Sequence, residues 1–134
     1  MSAFPMLASG ARTATTTSGS SATFPGKPSN TKVFLLLVSV SAVTATPAVT
    51  PKLRARDVSG NGFVLWDATT PLSAVGVYAY YFRCSTDVPS PAVDGNVIEV
   101  VDRVIPDDWD LEMVHGDADS ITYEVSGQWV FMAS

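Results

Sequence analysis

The chain has one cysteine, Cys84, and one histidine, His115, among its 134 residues. A single thiol excludes an internal disulfide, and with it the small secreted domains held by crosslinks. Within an apolar strand pattern, Cys84 reads as a small buried hydrophobe rather than a nucleophile. One histidine and one distant cysteine do not make a zinc site. Acidic residues are missing before Asp57, and only 16% of residues are charged, where about 25% is usual. The sequence has no Walker loop, Gly-x-Gly-x-x-Gly, Cys-x-x-Cys or Gly-x-Ser-x-Gly. No phosphate cradle, redox pair or nucleophile elbow is therefore signalled. Long apolar runs are also missing. Val33–Val43 resembles the centre of a signal peptide, with Lys27 and Lys32 upstream, but a membrane helix needs about 20 apolar residues. The preceding stretch, with Pro25, Gly26 and Pro28, is long for a signal's basic head, so the run reads as a strand.

The remaining charge is sharply polarised. Residues 1–56 hold six of the eight basic side chains and no acid, giving +6, while residues 57–134 carry −11, for a net −5. Opposite charges of this kind steer surfaces together and fix their register, within a fold or between subunits. Lys52, Arg54 and Arg56 are the one basic run, and strand alternation places all three on one face. That is too few for nucleic-acid affinity in an acidic chain. The length fits one domain, which buries roughly 65–70% of its unfolded surface.

Alternation of apolar and polar residues predicts an all-β fold. Residues 1–32 are broken by Pro and Gly and read as an extended N-terminal arm, with a short edge strand in Arg12–Thr17 and no core-forming pattern before it. Residues 33–134 then form the β-sandwich domain. Val33–Val43 is the candidate central strand: both faces are apolar in its first half, so it needs cover on both sides. Val49–Asp57 follows a turn at Thr44–Pro47, with Pro51 restricting it to an edge or bulge at that point. Ser59-Gly60-Asn61-Gly62 predicts a hairpin, because Asn-Gly supplies positive φ, and Phe63 to Trp66 begin the return strand. Tyr78, Tyr80, Phe82 and Cys84 share one face of the next strand. A loop over Ser85–Gly95, with Pro89 and Pro91, leads to strands at Val97–Val104, Trp109–His115 and Ile121–Val125. Gly127 then permits a bend or bulge before Trp129–Met132. About eight short strands with regular turns predict an antiparallel β-sandwich, jelly-roll or immunoglobulin-like.

Few residues suggest chemistry. Seven of the thirteen acids lie between Asp107 and Glu124. Asp117 and Asp119 flank one residue after Gly116, as in calcium loops, but Gln128 stands at the closing position of an EF-hand, and a solvated acidic turn is the simpler reading. Asp110 and Glu112 fall on one strand face, which suits a polar sheet surface or a partner contact better than a glycosidase pair across a cleft. His115 ends a strand beside acids, as a turn residue with the capacity to respond to pH. Trp66, Tyr81 and Trp129 would line a carbohydrate face if exposed, and would be core residues otherwise. No catalytic, cofactor or metal residue is assigned.

Several segments resemble a family of small virion proteins of tailed bacteriophages. They are the strand Ala11-Arg12-Thr13-Ala14-Thr15, the apolar strand Phe34–Thr44, the run from Leu53 through the hairpin to Trp66, and Gly76-Val77-Tyr78. Trp109–Val114 and Ile121–Val125 approximate the family's last strands. The likeness covers most of residues 11–126; the Ser85–Asn96 insertion and the Trp129–Ser134 tail depart from it. It implies a capsid decoration (cement) protein on the outer shell of the virion, bound to the major capsid protein and forming a homo-oligomer, with a trimer favoured. A neck or tail protein is the alternative it leaves, and a carbohydrate-binding or host-attachment module, favoured if Trp66 and Trp129 are exposed, is the competing class. Neither nucleic acid nor membrane is an expected partner. Arg12, Phe24, Lys52, Arg54, Arg56, Trp66 and Trp129 are the interface candidates. An arm of this kind can add a strand to a neighbouring sheet. On this reading, deleting residues 1–24 leaves the domain folded and weakens particle binding.

Overall fold

The computed structural model describes residues 4–17, 31–83, 97–102, 105–106 and 108–131. Nine strands form among them: β1 (Phe4–Arg12), β2 (Thr16–Thr17), β3 (Thr31–Val43), β4 (Val49–Arg56), β5 (Gly62–Asp67), β6 (Gly76–Arg83), β7 (Val97–Asp102), β8 (Trp109–His115) and β9 (Ile121–Phe131). They make two packed sheets. One has five strands in the order β1-β9-β3-β6-β7, the other four in the order β2-β8-β4-β5.

The period-2 pattern sets which side chains enter the core. From the five-stranded sheet come Phe34, Leu36, Val38 and Val40 of β3, Tyr80 and Phe82 of β6, and Ile121, Tyr123, Val125 and Trp129 of β9. From the four-stranded sheet come Val49 and Leu53 of β4, Trp66 of β5, and Trp109, Leu111 and Met113 of β8. Phe34 is the hub, its ring 4.6 Å from that of Trp129, 5.3 Å from Trp109, 5.9 Å from Phe82 and 6.3 Å from Phe4. As its pattern predicts, β3 is central, with β9 on one side and β6 on the other. On its outer face Val33 is also buried, while Leu35 and Leu37 are only partly covered, so the cover expected on both sides is met in part.

Four expectations require correction. First, the sheets are not wholly antiparallel, because β6 and β7 run parallel, from Ala79 opposite Val97 to Arg83 opposite Asp102. A parallel pair needs a connection of about a dozen residues or more, and residues 84–96 supply that length. Second, core-forming residues do precede Arg12. β1 pairs with β9 from Phe4↔Gly127 to Arg12↔Ile121, and Phe4 and Met6 are buried. Deleting residues 1–24 therefore removes a sheet strand and two core side chains. The chain continues into β2, which pairs with β8 in the other sheet; the strand expected at Arg12–Thr17 is divided between the two sheets.

Third, Gly127 does not bend the chain. β9 runs unbroken from Ile121 to Phe131, and a Cβ at Gly127 would lie 2.8 Å from the rings of both Phe4 and Phe34. The glycine makes room for two aromatic rings. Fourth, the β4–β5 hairpin forms, but its left-handed residue is Gly60, at φ 86°, and not the Asn-Gly pair. Gly60 N–H donates to the Asp57 carbonyl at 3.0 Å. The Asp57 carboxylate accepts from the backbone N–H groups of Ser59 and Asn61, both at 2.9 Å. An aspartate that bonds its own following backbone sets the turn two residues earlier. Pro51, by contrast, is accommodated as its chemistry requires. β4 is an inner strand and no bulge falls at Pro51, but the β5 ladder begins only at Lys52, and beyond it Pro51 serves as acceptor alone, its carbonyl taking the Ala68 N–H at 2.9 Å.

Candidate functional site

The basic run of β4 meets the acids of β8 on the outer face of the four-stranded sheet. Register places Lys52 opposite Glu112 and Arg54 opposite Asp110, with Asp67 of β5 across from Lys52. Arg54 Nε and Nη2 donate to the two oxygens of Asp110 at 2.9 and 3.0 Å, and Arg56 Nε donates to Asp110 Oδ2 at 2.6 Å. Lys52 Nζ lies 3.8 Å from Asp67 and 4.0 Å from Glu112, and Arg54 also reaches Glu112 at 3.4 Å. The Asp110 carboxylate is 0% exposed beneath the two guanidinium groups. This hydrogen bonding holds the Arg54 guanidinium above its ordinary pKa, with burial opposing the effect. Three of the six basic residues before Asp57 thus meet acids from after it within the fold. Lys52, Arg54 and Arg56 form a cross-strand lattice with Asp67, Asp110 and Glu112, and keep 27%, 20% and 25% of their side chains exposed.

Arg12 is likewise engaged by its own chain. Its guanidinium donates to the carbonyls of Ala8, Gly10 and Tyr123 at 2.5, 3.0 and 2.7 Å, and its central carbon stands 4.7 Å from the Tyr123 ring centroid. Phe24, the other candidate in the N-terminal region, lies outside the described residues, as does Cys84. Trp66 and Trp129 are 8% and 0% exposed, so neither presents a ring to a glycan. Large aromatics on inward positions of facing sheets are core by geometry. Trp66 also donates its indole N–H to Glu99 of β7 at 3.0 Å, while Glu99 accepts from Thr69 N–H at 2.6 Å.

The turn acids are similarly engaged. Asp119 Oδ2 accepts from the backbone N–H of Thr46 at 3.2 Å, and Asp117 Oδ1 from Asp119 N–H at 3.0 Å. Together with the paired Thr44 and Ser120, they fasten the β8–β9 turn to the β3–β4 turn. Among the described residues no group of three or more His, Cys, Asp or Glu side chains converges as a metal site.

What the pattern missed is the apolar surface at the end of the four-stranded sheet. Edge strand β5 exposes Phe63 at 58% and Val64 at 53%, and Val58 on the adjoining turn is fully exposed. Val64 pairs with Arg54 and Phe63 with Ala55 in regular register, so the two side chains point to opposite faces, and both are exposed where β5 ends the sheet. The signal was present as Gly62-Phe63-Val64-Leu65-Trp66, five residues that alternate with no polar partner. Comparison of the chain with protein-family models, with curated proteins and with solved structures finds no match.

Proposed function

We infer that the chain is a virion structural protein of a tailed bacteriophage, a decoration protein that binds the outside of the major capsid protein shell and stabilises it. The observation that carries this reading is the β5 edge. A sheet edge with an exposed apolar pair is suited to strand addition or burial against another protein. The aromatic core and the cross-strand ion lattice support such a contact on a rigid body. The resemblance of residues 11–126 to small phage virion proteins supplies the particular assembly, with copies set about the local symmetry axes of the shell. A jelly-roll or immunoglobulin-like connectivity for the two layers belongs to the same proposal.

The test is co-sedimentation of the purified chain with tailed-phage heads stripped of outer-surface proteins. The wild-type chain pellets with the heads. The double variant Phe63→Lys, Val64→Lys stays in the supernatant while keeping its β circular dichroism, because exposed positions on an edge tolerate lysine. Wild-type chain left in the supernatant overturns the reading. Equal pelleting of the double variant removes β5 as the contact.

A further inference from the structure

Residues 4–17 join the two sheets across one end of the core. β1 lies against β9 and β2 against β8. Between them the chain passes the point where Tyr123 of β9 and His115 of β8 meet, with ring centroids 5.9 Å apart and His115 Nε2 3.0 Å from Tyr123 Oη. The segment's side-chain attachments converge there. Arg12 stacks on the Tyr123 ring and donates to the Tyr123 carbonyl. The Thr15 hydroxyl accepts the backbone N–H of His115 at 3.1 Å, and the Thr16 side chain hydrogen-bonds Tyr123. The β1 ladder itself is interrupted twice, between Pro5 and Leu7 and between Leu7 and Gly10, so beyond the burial of Phe4 and Met6 the strap is held by these attachments.

The groups facing His115 are Arg12 from β1, Tyr123 from β9, Asp117 from its own turn, and apolar Val49 opposite it on β4. Asp117 favours a charged imidazole; burial and the Arg12 guanidinium disfavour it and prevail. We propose that residues 4–17 are a pH-gated strap: proton uptake by His115 sets a second cation against Arg12 over one tyrosine ring, releases the strap from both sheets, and bares the β9 edge. The imidazolium can still donate to Tyr123 Oη. The release comes from desolvating two like charges together, which opening relieves. An uncovered β9 edge is then a template for another strand. The inference rests on the fold and is independent of the capsid reading.

Hydrogen exchange read by mass spectrometry at about pH 7.5 and about pH 5.5 tests it, since histidine titrates between them and free carboxylates do not. After correction for intrinsic rates, peptides covering residues 4–17 lose protection several-fold at the lower pH, while β3 peptides keep theirs. His115→Gln keeps a hydrogen-bonding side chain at that position and abolishes the difference. In Arg12→Gln the His115 titration midpoint, followed by imidazole NMR signals, moves up towards 6.5. Unchanged strap protection in the wild type, the same loss in His115→Gln, or an unmoved midpoint in Arg12→Gln overturns the proposal.

Discussion

At Gly127 the absence of one carbon atom decides the packing of a whole layer. The rings of Phe4 and Phe34 occupy the space a Cβ would take, and Phe34 holds Trp109, Trp129 and Phe82 in turn. Gly127→Ala is therefore expected to destabilise the fold by about 1–3 kcal/mol, the usual range for overpacking a dense core, seen as a lower urea midpoint at constant slope. Ala45 presents the opposite case. It is the one non-glycine residue with positive φ among those described, at 53°, where a Cβ costs roughly 1–2 kcal/mol. Ala45→Gly should raise the melting temperature, because relief of that strain exceeds glycine's added chain entropy, and Ala45→Val should lower it.

Among the elements, the β4–β8 pair carries the strongest electrostatic commitment. Asp110 is buried under Arg54 and Arg56, and removing one partner of a buried ion pair costs about 3–5 kcal/mol. Asp110→Ala should fall short of that loss in denaturant unfolding, because the Arg54 and Arg56 side chains it frees are 20% and 25% exposed, while Glu112→Ala, whose side chain is partly exposed, should lose under about 1 kcal/mol. This pairing explains what could be read from residues alone. Alternation exposed Trp109, Leu111 and Met113 as inward and Lys52, Arg54 and Arg56 as sharing one face, because side-chain direction in a strand is local. Which acids those cations meet depends on β8 lying beside β4, a choice made 56 residues later in the chain for Arg54 and Asp110. For the same reason β1 was hidden: Phe4 and Met6 stand among Pro, Ser and Gly, and only the aromatic socket on β9 reveals them as core. The direction of β7 could have been suspected from the length of the preceding loop. The apolar run holding Phe63 and Val64 was visible too, but its exposure depends on β5 lying at the edge of the four-stranded sheet, which residues alone do not tell.

For the whole molecule, stability should form a plateau against pH with losses on both sides. His115 is held below its ordinary 6.5 by burial, so the native state binds fewer protons than the unfolded chain, and stability present above 6.5 is lost as pH falls through the folded value. Asp57 is held below 3.8 by its bonds to Asn61, so its contribution is lost later, as pH falls further. Burial raises Tyr80 and Tyr123 above 10.0; the unfolded chain ionises first, and stability falls as pH rises beyond 10. A thermal-melting series across pH should be flattest from about 6.5 to 10. A different consequence comes from the place of β9 between β1 and β3. On a ribosome, the strand that must join those two is made after both of them, so Phe4–Arg12 and Thr31–Val43 wait unpaired on that side until Ile121–Phe131 has emerged. The five-stranded layer closes only once β9 is available, and a nascent chain halted before Ile121 should recruit chaperones that a chain carrying β9 no longer needs.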